Sequence, residues 1–153
     1  MIVAMDRHLP TTEAAVTACR AIAAAYAREI EVTHDIGADQ TSRRSAAGVG
    51  VTSDPDGSLP HEAFIEFGGL PRIAVRLYPE DDALITVEGV EFPDLPRDDV
   101  PAFLRAVLDG MAYVKGRRFP PGYRMVVPLP GDRTYKERIP MIGLTPWLNR
   151  RVR

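Results

Sequence analysis

The sequence predicts an α+β fold, an antiparallel β-sheet with two main helices packed on one face. Two segments carry apolar residues at the spacing of a helix, and the segments between and after them alternate with a period of two. The alternating segments are joined by short turns rich in proline, glycine and aspartate, which favours antiparallel neighbours. The predicted order is one helix, four strands, a second helix, three strands and a tail. The 153 residues suit a single domain, 1–153.

The first predicted helix covers residues 12–30. Thr12 is the expected N-cap, because its hydroxyl can accept a bond from a free amide in the first turn. Apolar residues recur at helical spacing and predict the face that meets the sheet: Ala15, Cys19, Ile22, Tyr26 and Ile30. Residues 37–47 show no periodicity and are predicted to form a loop.

Four strands are predicted next, each short and alternating. Between them lie turn sequences such as "DPDG" at 54–57 and "PEDD" at 79–82. The predicted strands are 48–53, 61–67, 72–78 and 83–92.

The second helix has the clearest pattern, with Asp98 as the expected N-cap and Gly110 as the expected stop. Its apolar stripe is Val100, Phe103, Leu104, Val107, Leu108 and Met111. Three strands follow, in "MAYVKGR", "YRMVVPL" and "RTYKERI", and Thr145 and Pro146 suit the start of a short tail helix. Six side chains of the two long helices are predicted to be buried: Ile22, Tyr26, Phe103, Leu104, Val107 and Leu108.

Charge is unevenly distributed along the chain, although the formal net charge is only −2. Residues 54–99 carry a net charge of −9, and residues 113–153 carry +8. Such asymmetry indicates either a charged partner or neutralisation between the two halves of one fold, and the sequence leaves both open.

No pattern typical of a catalytic or metal site is present, so neither a cofactor nor a metal is predicted. The three histidines, His8, His34 and His61, have no metal-ligand spacing, and Cys19 lies on the inward stripe of the first helix. We therefore expect substitutions of His34, Asp35 or Cys19 to leave activity intact. The first hypothesis is therefore a non-enzymatic binding module, and a small enzyme using residues 34–45 stays open as the third hypothesis.

The location and partners follow from equally simple features. A single cysteine suits a reducing compartment, and neither a signal peptide nor a membrane span fits the sequence, so we expect a cytoplasmic protein with no membrane partner. The oligomeric state is left open.

The most basic stretch is "RRFPPGYRMVVPLPGDRTYKER", residues 117–138. Strand alternation puts apolar side chains on one face and Arg124, Lys136 and Arg138 on the other. We expect a partner-binding surface here, with Trp147 of the tail folding back as an aromatic anchor. The predicted partner-binding residues are Arg117, Arg118, Tyr123, Arg124, Arg133, Lys136 and Trp147. Another protein is the first expectation for the partner, and a nucleic acid bound by this basic third is the alternative.

A family resemblance points the same way. The stretches "LPRDDVPAFLRAVLDG", "PPGYRMVVPLPGDRTYKE" and "TPWL" resemble the C-terminal half of small bacterial α+β immunity proteins that neutralise polymorphic toxins, and of related secretion-chaperone-like folds. The resemblance covers about residues 90–148 and carries over no site residue. It implies a protein that binds another protein.

Overall fold

The computed structural model describes residues 8–34, 62–119, 121–140 and 144–153. It shows the predicted α+β fold with antiparallel sheets. The predicted loop at 37–47 and strand at 48–53, together with Asp35 and His61, lie outside the described residues.

The first sheet has five strands in chain order, each antiparallel to its neighbour. Alternate side chains of the inner strands are buried, as the period of two predicts. The strands are β1 (Ile30–His34), β2 (Ala63–Phe67), β3 (Ile73–Leu77), β4 (Asp82–Val87) and β5 (Val90–Pro96).

Two predicted boundaries in this part of the chain are wrong. Residues 83–92 form two strands, because Glu88 and Gly89 both have positive φ, 50° and 84°, and turn the chain as a two-residue hairpin loop does. The first helix ends at Ala25, since Ala27 has a φ of 54° and residues from Ile30 onward pair with β2.

The second sheet is a three-stranded antiparallel meander, where the sequence predicted strands of the same sheet. Its strands are β6 (Tyr113–Arg117), β7 (Gly122–Leu129) and β8 (Arg133–Arg138). Strand β8 lies beside β5, with Cα atoms of the two within 8 Å, so the two sheets meet at these strands without a hydrogen-bonded pairing between them.

Three helices complete the described fold: α1 (Thr12–Ala25), α2 (Val100–Leu108) and α3 (Pro146–Asn149). The cap of α1 is Thr11, whose hydroxyl accepts a bond from the Ala14 amide at 2.9 Å, so the predicted cap Thr12 is displaced by one residue. Thr145 caps α3 as predicted, accepting from the Leu148 amide.

The start of α2 differs from the prediction. Asp98 lies in a 3₁₀ turn, Arg97–Asp99, that precedes the helix. Its carboxylate accepts bonds from the Leu9 amide at 2.7 Å and from the His8 ring at 2.9 Å, and so holds the N-terminal segment instead of capping the helix.

Both long helices pack on the same side of the two sheets. The Phe103 ring of α2 lies 4.9 Å from the Phe92 ring of β5 and 6.0 Å from the Tyr135 ring of β8, measured between centroids. Of the six side chains predicted to be buried, four are buried, whereas Tyr26 and Leu108 are half-buried. Met111 follows the end of α2 and is 54% exposed. No helix in the described ranges is long and apolar enough to cross a membrane.

Candidate functional site

The outer face of the second sheet, which points away from the helices, is rich in cations. Alternation along the three strands buries Val114, Met125 and Val127 on the inner side and leaves the basic side chains outside. We call this surface the basic face, and its strand cations are Lys115, Arg117, Arg124, Lys136 and Arg138.

Three of these cations form a row across the sheet. Lys115 lies directly opposite Arg124, and Arg124 lies directly opposite Arg138. Neighbouring strands are about 5 Å apart, so each pair brings two positive side chains together. Like charges in directly opposite positions destabilise a sheet. The row therefore lowers the stability of the sheet, and forming the sheet does not require it.

No described carboxylate offsets that charge. Within the described residues, none of the five strand cations of the basic face takes part in an ion pair. The three strands contain one carboxylate, Glu137, which lies opposite the buried Met125 and so belongs to the other face. Arg97 differs: it is 2% exposed and lies 2.9 Å from Asp81.

A groove of about 230 Å³ crosses the basic face. Val126 is only 2% exposed and forms its apolar floor, and Tyr113 forms one wall. The Arg153 guanidinium carbon lies 4.3 Å from the centre of the Tyr113 ring. Backbone bonds between Val114 and residues 151 and 153 hold this tail segment parallel to β6 and add a sixth cation to the face.

The structure brings together only part of the predicted site. Arg117, Arg124 and Lys136 line the groove, and Arg118 is exposed in the turn that follows β6. The other three predicted residues, Tyr123, Arg133 and Trp147, do not lie on the basic face.

Each of those three has another position and contact. Tyr123 points to the opposite side of β7 from Arg124. Trp147 is 6% exposed in the core, with the Arg151 guanidinium carbon 4.2 Å from its ring centre, so it anchors the tail.

Arg133 belongs to a polar cluster that joins β8 to the start of α2. The largely buried carboxylate of Asp99 accepts a bond from the Arg133 guanidinium at 2.7 Å and from the Tyr135 hydroxyl at 2.6 Å. Burial, with the bond to Asp99, raises the pKa of Tyr135 to about 12. This geometry gives Arg133 a structural contact that its position in the basic stretch does not reveal.

Sequence reasoning missed Tyr113, Lys115 and Arg153 as parts of the surface. Alternation within "YVKGR" would have put the first two on one side with Arg117. Their place beside Arg124 depends on the register of β6 against β7, and the place of Arg153 depends on how the tail docks.

His34 and Cys19, the titratable groups considered as possible catalytic residues, make contacts within the fold. The His34 ring lies 3.8 Å from the Glu13 carboxylate at the end of β1. Cys19 is buried, which raises the pKa of its thiol to about 12 and keeps it protonated. In the described ranges no three histidine, cysteine, aspartate or glutamate side chains are grouped so as to hold a metal ion.

No family model matches the chain, and no curated protein or solved structure matches it.

Proposed function

We propose that the protein is a binding module that captures an acidic surface of another protein with its basic face. The row Lys115, Arg124 and Arg138 carries this proposal, because three adjacent cations have no described countercharge. The resemblance of residues 90–148 to immunity proteins and secretion chaperones supports the same class of function. In that class the protein acts by occupying its partner, as an inhibitor or a chaperone.

The energetics favour an anionic partner. Each like-charge pair in the row costs the fold up to about 1 kcal/mol, and a bound carboxylate turns that repulsion into attraction. Two of the three cations are arginines, whose planar guanidinium groups bind carboxylates through paired hydrogen bonds. A concentrated positive face also accelerates the encounter with an acidic partner.

A second candidate is single-stranded nucleic acid, and one observation favours it. Phe119 is 87% exposed in the turn after β6, next to Arg117 and Arg118. An exposed aromatic ring beside cations can stack on a base while the cations bind phosphates. The same ring would also serve as an anchor in a protein interface.

Binding to simple polyanions separates these candidates. We expect the protein to bind polyglutamate in about 0.02 M salt and to lose that binding in about 0.5 M salt, where the Debye length is much shorter. The double variant Arg124→Glu, Lys136→Glu should weaken binding at least about tenfold, because both changes reverse charge in the groove. Affinity is measured by fluorescence anisotropy of the labelled polymer.

The matched control is Arg20→Glu with Arg72→Glu, two exposed arginines outside the basic face. It makes the same change in net charge and should bind polyglutamate nearly as wild type does. Equal loss in both double variants would mean that net charge alone drives binding, and the proposal would fail. Tighter binding of random single-stranded oligonucleotides than of polyglutamate, lost in the same variant, would favour nucleic acid.

The genes beside this one test whether the protein is an inhibitor or a chaperone. A toxin-like reading frame beside this gene would favour an immunity-type inhibitor over a chaperone. Co-purification of the two products would then identify the partner directly.

A further inference from the structure

The outer face of the first sheet carries a row of glutamates, beside an ion pair in which Arg76 lies 3.9 Å from Glu62. Glu31 of β1 lies directly opposite Glu66 of β2, and the same cross-strand row continues through Ala74 and Thr86 to Glu91 of β5. Among the described residues, none of the three glutamates takes part in an ion pair. We call this row, with its two small central residues, the acidic face.

The acidic and basic faces both lie on the side of their sheets away from α2. The inner sides of β5 and β8 both touch Phe103 of α2, so both outer sides point away from that helix. Because β5 lies beside β8, the strands follow one another across the surface from β1 to β5 and then from β8 to β6. The paired glutamates therefore occupy one end of this surface, and Lys115 and Arg124 occupy the other end.

We infer that the basic face also binds the acidic face of a second copy of this chain, in a two-fold dimer. A two-fold axis parallel to the strands and between β4 and β5 exchanges the ends of the surface. It places Glu31 and Glu66 of one copy over Lys115 and Arg124 of the other, and repeats the contact symmetrically. This inference rests on the proposed function, because it uses the same basic face.

The spacing of the charges agrees with this arrangement. Each pair sits on adjacent strands at directly opposite positions, so both pairs have the strand spacing of about 5 Å. Stacked sheets lie about 10 Å apart, a gap that facing glutamate and lysine or arginine side chains can span. Ala74 and Thr86 have short side chains that project little from the centre of the acidic row, so the second surface can approach closely.

Sedimentation velocity with complementary variants tests the dimer. The wild-type protein should be dimeric in about 0.02 M salt and monomeric in about 0.5 M salt. The variant Glu31→Lys, Glu66→Lys presents two basic ends, and the variant Lys115→Glu, Arg124→Glu presents two acidic ends. Each alone should dissociate at least about tenfold more readily than wild type. Mixed in equal amounts they should form a dimer, because every contact in the mixed pair again joins opposite charges.

The control is Arg20→Glu with Arg105→Glu, which changes two exposed helix positions and should stay dimeric. A monomeric wild type in low salt, a dimer that survives both reversals, or two variants that stay monomeric when mixed would each overturn the inference. Measuring polyglutamate binding by the wild-type protein separates a failure of the dimer from a failure of the proposed function. A monomer that still binds polyglutamate through Arg124 and Lys136 would refute the dimer alone, whereas loss of that binding would refute the proposed function.

Discussion

At the residue scale, the Asp99 cluster shows how a charge inside the basic stretch can serve the fold. The carboxylate joins β8 to the start of α2 through two short bonds, one from Arg133 and one from Tyr135. A sequence pattern that counts cations treats Arg133 and Arg124 alike. The structure separates them by their partners, since Arg133 bonds to Asp99 and Arg124 forms no ion pair with a described residue.

Tyr135→Phe should lower the free energy of unfolding by about 1.5–3 kcal/mol near neutral pH, because it removes a hydrogen bond to a charged acceptor. The folded-state pKa of Tyr135, about 12, exceeds the ordinary value of 10.0. Its stabilising effect is therefore complete below pH 10 and is lost as the pH rises from about 10 towards 12. The variant should lose less stability than wild type over that interval, as measured by urea unfolding.

Tyr26 provides the control for this pH dependence. Burial and its bond to Asp109 also raise its pKa to about 12, so it contributes an alkaline loss of the same sign at the other end of α2. Tyr26→Phe should flatten the curve independently, and the effects of the two variants should add. An alkaline stability curve that neither variant changes would contradict this account of the cluster.

At the element scale, α2 is the helix whose packing should matter most. Leu104 is fully buried beneath it, whereas Leu108 is half-buried at its end. Leu104→Ala should lower the free energy of unfolding by about 2–5 kcal/mol through lost burial and a cavity. Leu108→Ala, the matched change on the same helix, should cost clearly less. Equal costs in denaturant unfolding would mean that α2 packs differently.

The sequence predicted the elements whose apolar pattern lies within a single segment. It failed where contact with a second element sets the boundary of an element. The stripe of α2 and the alternation in β2, β3 and β7 are properties of single segments. The strand β1 was missed: the predicted helix 12–30 took in its first residue, because Tyr26 and Ile30 continue the helical spacing, and the other four residues of β1 were assigned to no element. The hairpin at Glu88–Gly89 was missed since Gly89 stands alone between two apolar runs.

The candidate site was predictable to the same degree. Alternation identified Arg124, Lys136 and Arg138 as one face of the basic hairpin. The row that joins Lys115 to them is a matter of register between strands, and the burial of Trp147 is a matter of tertiary packing. Neither relation can be predicted from the residue pattern of a single segment.

At the scale of the whole molecule, the charge asymmetry of the sequence becomes two outer faces of opposite sign. The acidic stretch forms most of the first sheet, and the basic stretch forms the second sheet and the tail. Both faces lie on the side away from α2, so the row of cations and the three glutamates are separated along the sheets, whereas Arg133 of the basic stretch pairs with Asp99 of the acidic stretch on the inner side.

This separation predicts competition between the two proposed ligands of the basic face. Polyglutamate added to the low-salt dimer should raise the monomer fraction, because each polymer chain occupies the cations that the second copy needs. The effect is measured by sedimentation velocity at constant ionic strength, with an uncharged polymer as the control. A dimer that binds polyglutamate without dissociating would show that the two ligands use different surfaces.

The burial of Trp147 gives the protein an internal optical reporter. It is the one tryptophan of the chain, it lies in the core, and a guanidinium group stacks on its indole ring. Fluorescence excited at the indole band therefore reports on a single place, the site where α3 packs beside β6. An emission change at constant circular dichroism would mark release of the tail, and with it the loss of Arg153 from the edge of the binding groove.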